Sequence, residues 1–137
     1  MLDKILCIDD DPITLMLCKK VISKAEFSKE IDFFKNGEEA IQYFDGLKEE
    51  KNKENTVTPP NLIFLDLNMP IMNGWEFLDV FSNKDYYLDF PNTKVIVLSS
   101  TIDPKDLNKS KSYPMVIKFL SKPITKEMLE TIKGSIQ

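Results

Sequence analysis

Residues 61–81 read NLIFLDLNMPIMNGWEFLDVF, and the order of those residue types decides the fold. Asn61 to Asp66 is a short apolar run of the kind that forms a strand buried on both faces. It ends on an aspartate, and the tract NMPIMNG that follows is longer than a tight strand-to-helix turn needs. Trp75, Phe77, Leu78 and Phe81 then recur at helical spacing. A helix therefore starts near Asn73 or Gly74, with Leu78 and Phe81 as its core residues. Aromatic residues at this spacing are read as core, not as a cofactor box.

The same unit repeats on both sides. Further short runs span Lys4 to Asp9, Glu30 to Phe34, Thr93 to Ser99 and Met115 to Leu120. The second of these is the shortest and is placed at a sheet edge. Asp11 caps a helix with Pro12 at its first position, where a missing N–H costs nothing, and Ile13, Leu17 and Val21 are expected as its buried stripe. Another helix runs from about Gly37 through Ile41 and Phe44 and dissolves into the charged, proline-terminated tract KEEKNKENTVTPP. A fourth opens at Asp103-Pro104 and stops before Pro114. The fifth spans Thr125 to Ile136, with Met128, Leu129, Ile132 and Ile136 on one face. Strands alternating with helices give an α/β protein of (βα)₅ type, a doubly wound five-stranded parallel sheet. In such a sheet ligands sit outside the carboxyl ends of the strands.

Composition sets the limits. At 137 residues, with 42% hydrophobic and 29% charged residues, the chain is expected to be a single domain (residues 1–137) that buries about two thirds of its unfolded surface. A net charge of -4 and the lack of a basic run argue against nucleic acid as a direct partner. There is no apolar stretch approaching ~20 residues and no signal-peptide pattern, so a cytoplasmic location away from membranes is expected. Cys7 and Cys18, one in a strand and one in a helix, are read as buried free thiols. The chain has no histidine, which removes imidazole as base, zinc ligand or internal phosphoryl donor.

Charged side chains stand at the strand ends: Asp9 and Asp10 after KILCI, Asp66 after NLIFL, and Lys122 after IKFLS. On adjacent parallel strands they converge on one edge. Three carboxylates that close repel one another unless a hard cation joins them, and oxygen donors are what Mg²⁺ (or Mn²⁺) takes. Asp11 is assigned to helix capping instead, and Ser99 taken alone is equally a turn residue. An ammonium from Lys122 adds a second positive charge at the rim. A carboxylate between two cations is a place to hold a phosphoryl group.

Together Asp9-Asp10, Asp66 in the context D-x-N-M-P-x-M-N-G, Ser99-Ser100 and Lys122-Pro123 resemble the receiver domain of two-component response regulators, of the stand-alone CheY-like type without an output domain. The resemblance covers essentially the whole chain. It implies a flavodoxin-like sheet of order 2-1-3-4-5, with Asp66 phosphorylated by a sensor histidine kinase or phosphotransfer protein. It further implies Asp10 as a direct metal ligand, Asp9 as a ligand through water, and Asn68 as the donor of a backbone carbonyl to the metal. Ser99 and Lys122 would bind the phosphoryl oxygens, and Ser99 and Phe119 would form a switch. Asn68 and Thr101 would tune the phosphoryl lifetime. The switching surface would be the fourth helix, fifth strand and fifth helix, acting on a separate downstream protein. The resemblance also suggests a cis Lys122-Pro123 bond, while the residues themselves allow either isomer. Departures from the family pattern fall in loops: the long tract Leu47 to Pro60, and Tyr113-Pro114 where a glycine turn is frequent.

Two other readings compete. Haloacid-dehalogenase-like phosphatases also use a strand-ending aspartate with Mg²⁺, but they place a second acid two residues on, where this chain has Asn68. A receiver fold used only for binding would have no reason to keep Asp9, Asp10, Asp66, Ser99 and Lys122 together.

Overall fold

The structure is a computed structural model and describes residues 1–136. Gln137, the last residue of the expected domain, lies outside the described residues. In chain order the elements are β1 (Leu2–Ile8), α1 (Pro12–Lys24), β2 (Ser28–Phe34), α2 (Gly37–Asn52), β3 (Leu62–Leu65), α3 (Gly74–Asn83), α4 (Tyr86–Asp89), β4 (Lys94–Ser99), α5 (Pro104–Ser110), β5 (Val116–Ser121) and α6 (Lys126–Ile136). The strands form one sheet in the order β2-β1-β3-β4-β5, and every adjacent pair is parallel.

The two-residue period of the strands divides the core into two layers. Leu6, Ile8, Ile63, Leu65 and Val95 face α2 and α3, where they meet Ile41, Phe44, Phe77, Leu78 and Phe81. Ile5, Cys7, Leu62, Phe64, Ile96 and Leu98 face the opposite way, onto Cys18 and Ile22 of α1 and Leu129 and Ile132 of α6. The layers differ in kind. The first is aromatic, with the Phe44 ring 5.0 Å from Phe81, 5.8 Å from Phe90 and 6.1 Å from Tyr86 between centroids. The second is largely aliphatic, with two free buried thiols.

Helix starts follow their caps. The Asp11 carboxylate accepts the Ile13 N–H at 3.0 Å, and the Asp103 carboxylate accepts that of Lys105 at 2.9 Å. Asn73 and Glu76 form a reciprocal capping box at α3. This fixes where the helix begins after the loop that leaves β3.

Three expectations need correction. The buried stripe of α1 is Cys18 and Ile22, with Leu15 and Val21 beside it, while Ile13 and Leu17 are 63% and 41% exposed. The first turns of α1 are apolar nearly all round, so spacing alone does not select the buried face. Helix α2 also does not dissolve near Leu47 but continues to Asn52. It is held there by the unanticipated helix α4, reached through Asp85 at a φ of 58°. Lys48 pairs with Asp89 at 2.6 Å and the Lys51 ammonium donates to the Asp89 carbonyl at 2.7 Å. The end of α2 and the short helix α4 thus brace one another. Finally, β2 does lie at an edge but is as long as β1, at 7 residues each.

Candidate functional site

Asp9 and Asp10 follow β1, Asp66 follows β3, Ser99 ends β4 and Lys122 follows β5. Since β1, β3, β4 and β5 are neighbours in that order, all five residues reach the same carboxyl edge. Asp9, Asp10 and Asp66 each offer an oxygen, and these oxygens lie within 4.8 Å of one another. The Lys122 ammonium is 2.6 Å from Asp9 and 3.3 Å from Asp66. Asp9 and Asp66 are buried, at 5% and 7% exposure, whereas Asp10 is open to solvent.

Backbone bonds hold the groups in place. The Asp66 N–H donates to the Ile8 carbonyl at 2.9 Å, tying the ends of β3 and β1 together, and the Lys122 N–H donates to the Ser99 carbonyl at 2.8 Å. The Asp9 carboxylate also accepts the Asp11 N–H at 2.9 Å. The Ser99 hydroxyl accepts the Thr101 N–H at 3.4 Å, so it is held by its own turn. Asn68 is exposed. Phe119 is half-buried on β5 opposite Val97. The Lys122-Pro123 bond is cis.

One residue of the quoted motif has a role beyond its place in the pattern. Gly74 is read as a helix start and closes the D-x-N-M-P-x-M-N-G motif, and a Cβ there would lie 2.5 Å from the Asp66 carbonyl oxygen and 2.9 Å from the Leu67 Cα. Its N–H donates to the Leu67 carbonyl at 3.0 Å. Only glycine lets α3 start against the backbone of Asp66. Between them the loop passes Ile71, whose φ of 69° puts a β-branched residue in the left-handed region. The Met72 N–H reaches back to the Pro70 carbonyl at 2.7 Å, making a strained γ-turn with Ile71 at its tip.

The electrostatics follow from burial and proximity. Burial, and then the Asp9 charge, hold the Asp66 carboxyl above the usual aspartate range despite Lys122. Burial alone would lower the Lys122 pKa, but the hydrogen bond and charge of Asp9, with Asp66 behind, raise it instead. The ammonium is therefore firmly cationic. Three carboxylates and one ammonium sum to -3 + 1 = -2, the complement of one divalent cation. The donors are all hard oxygens, so the residues fit Mg²⁺.

Known proteins carry the same arrangement of strands. The family model described as the response regulator receiver domain matches residues 5–133. The chain belongs to the response regulator receiver domain family. A two component response regulator from Cytophaga hutchinsonii is 30% identical with a TM-score of 0.86, covering 98% of this chain and 96% of that one. One from Legionella pneumophila is 29% identical with a TM-score of 0.78, covering 98% of each. Among curated proteins, the nitrate/nitrite response regulator protein NarL of Escherichia coli K12 is 39% identical over 80 residues, which are 58% of this chain and 32% of that protein. This receiver domain thus spans about a third of that relative's length. Its sheet order is the flavodoxin-like one expected for the family. No described helix is long and apolar enough to cross a membrane.

Proposed function

We propose that this receiver domain takes a phosphoryl group onto Asp66 from a phosphohistidine of a sensor histidine kinase or phosphotransfer protein, and so controls a separate partner protein from the cytoplasm. The observation that carries the reading is the meeting of the Asp9, Asp10 and Asp66 oxygens within 4.8 Å, with the Lys122 ammonium 3.3 Å from Asp66.

In the reaction an Asp66 oxygen attacks phosphorus, the P–N bond to the donor imidazole breaks, and its electron pair stays on the leaving imidazole, which takes a proton from solvent. Lys122 meets charge on one phosphoryl oxygen, and the Ser99 hydroxyl, released from the Thr101 N–H, donates to another. Asp9, Asp10, Asp66 and the Asn68 carbonyl would hold Mg²⁺ (or Mn²⁺), which supplies charge neutralisation to the transferring group. Asn68 and Thr101 stand beside the path of a hydrolytic water and tune how long the acyl phosphate lasts. Multiple-turnover hydrolysis of phosphate esters is not expected, because Asn68 offers no acid to a leaving group.

A protein donor suits the surroundings. Ile13, Met16, Ile71 and Ile102 are each more than half exposed and sit on the start of α1 and the loops after β3 and β4, around the mouth of the site. Output is assigned to the expected surface, which the additional α4 renumbers as α5, β5 and α6. Drawing Ser99 inward and re-seating Phe119 shifts an existing equilibrium of that face.

Intact-mass spectrometry after acetyl phosphate and Mg²⁺ tests the reading. One added phosphoryl group is expected, and none in Asp66→Asn. An unchanged wild-type mass, or uptake by the Asn variant, would overturn it.

A further inference from the structure

Helix α5 is weakly anchored. It has 7 residues and only Ser110 is buried, and the Ser110 hydroxyl bonds within its own helix, to Leu107. What ties its far end to the molecule is a group of side chains shared with α3. The Trp75 and Tyr113 rings stack at 6.0 Å between centroids and 25° between planes. The Lys109 ammonium lies 4.5 Å from the Trp75 ring centre. The Tyr113 hydroxyl donates to Asp79 at 2.5 Å, and burial, then that carboxylate, push the phenol up to about 12, so it stays a donor. Trp75 and Asp79 belong to α3, Lys109 to α5, and Tyr113 to the turn into β5.

The two ends of α5 are therefore connected to Asp66 by different routes. Its beginning follows Ser99 and Thr101, which share a long hydrogen bond of 3.4 Å through the same hydroxyl that would turn to a phosphoryl group. Its end is clasped to Trp75, the residue after Gly74, and Gly74 rests on the Asp66 backbone. Pulling the first end while the second is held strains the helix against its clasp. A glycine at position 113 could supply neither the ring that stacks on Trp75 nor the hydroxyl that reaches Asp79, so the restraint depends on the tyrosine this chain carries there. We infer that the Trp75, Tyr113, Lys109 and Asp79 cluster is a clasp that holds α5 in its resting position and is loosened when Asp66 is phosphorylated. The inference rests on the phosphoacceptor reading of Asp66, and names the contacts against which that switch works.

The chain carries a single tryptophan, so its fluorescence reads the clasp directly. The test uses the full chain as wild type, Tyr113→Leu and Lys109→Met. The lysine change removes the cation but keeps an apolar stem, and so guards against a folding defect in the first variant. Amide exchange of residues 104–112 and Trp75 emission are followed with and without Mg²⁺ and beryllofluoride, with intact mass after acetyl phosphate in parallel. In wild type the mimic should speed exchange of 104–112 by about three- to tenfold, the worth of one aromatic pair, and shift Trp75 emission to the red. Tyr113→Leu should show that faster exchange before the mimic is added, and Lys109→Met part of it, with β1 and β3 unchanged. Equal α5 exchange in wild type and both variants, or faster exchange spread evenly over the chain, would overturn the clasp while leaving a mass gain at Asp66 intact. Absence of the mass gain would overturn the phosphoacceptor reading, and the switching role of the clasp with it.

Discussion

Strands β3 and β5 both deliver a charged residue to the site, Asp66 and Lys122, yet they are built on opposite terms. All four residues of β3 are buried, between β1 and β4 and between helices on both faces. All six residues of β5 are only half-buried, at the sheet edge, and its pairing with β4 shifts register between Val95 and Ile96. On the proposed function the difference separates two jobs. A nucleophile needs fixed surroundings, which a doubly covered central strand supplies. A readout surface needs low local stability and access to a partner, which an edge strand between α5 and α6 supplies.

The sharpest break of this contrast uses one residue type on both strands. Phe64 on β3 is 2% exposed and Phe119 on β5 is half-buried. Phe64→Ala should cost about 3–5 kcal/mol in denaturant unfolding, and Phe119→Ala no more than about 1.5 kcal/mol. Equal losses would remove the distinction.

Next in size is the support beneath Asp66. Gly74→Ala forces a methyl into the Asp66 carbonyl and should destabilise by about 1–3 kcal/mol. In contrast, a methyl added at Gly134 of α6 would meet nothing within 4 Å, so Gly134→Ala should stabilise by up to about 1 kcal/mol, read as a rise in Tm. A smaller effect probes the charge imbalance. Because the folded Asp66 pKa lies above its unfolded value, wild type loses stability as pH rises from the unfolded pKa through the folded one. Without divalent metal, Asp66→Asn should therefore gain on wild type across that window and keep the gain at neutral pH. Saturating Mg²⁺ should narrow the gap by stabilising wild type alone. Thermal melts at several pH values check both signs, and a variant less stable than wild type at pH 7 would contradict the charge account.

Most of the site was legible because its signals are local. An acid directly after an apolar run marks a strand end, and the order of strands in a doubly wound sheet then brings Asp9, Asp66 and Lys122 together. What stayed hidden depends on contacts between distant segments. The tract after Leu47 stays helical to Asn52 because Lys48 and Lys51 find Asp89, and nothing within the tract announces that partner. Ile13 and Leu17 fit a helical stripe as well as Cys18 and Ile22 do, and only packing against the sheet chose between them. Gly74 stood out as a helix start and as the end of the D-x-N-M-P-x-M-N-G motif, but the physical reason for a glycine there comes from the Asp66 backbone beside it. The stacking of Trp75 on Tyr113 likewise joins residues 38 positions apart by number (113 − 75).

If the carboxyl edge of the sheet works as a phosphoryl site, Asp66 alone among its acids must become the acyl phosphate. Borohydride reduces an acyl phosphate of aspartate to homoserine, so peptide mapping after acetyl phosphate, Mg²⁺ and borohydride locates the acceptor. Homoserine at position 66 alone, lost when Mg²⁺ is chelated, is the predicted result. Homoserine at Asp9 or Asp10, or equal modification with the metal removed, would contradict it.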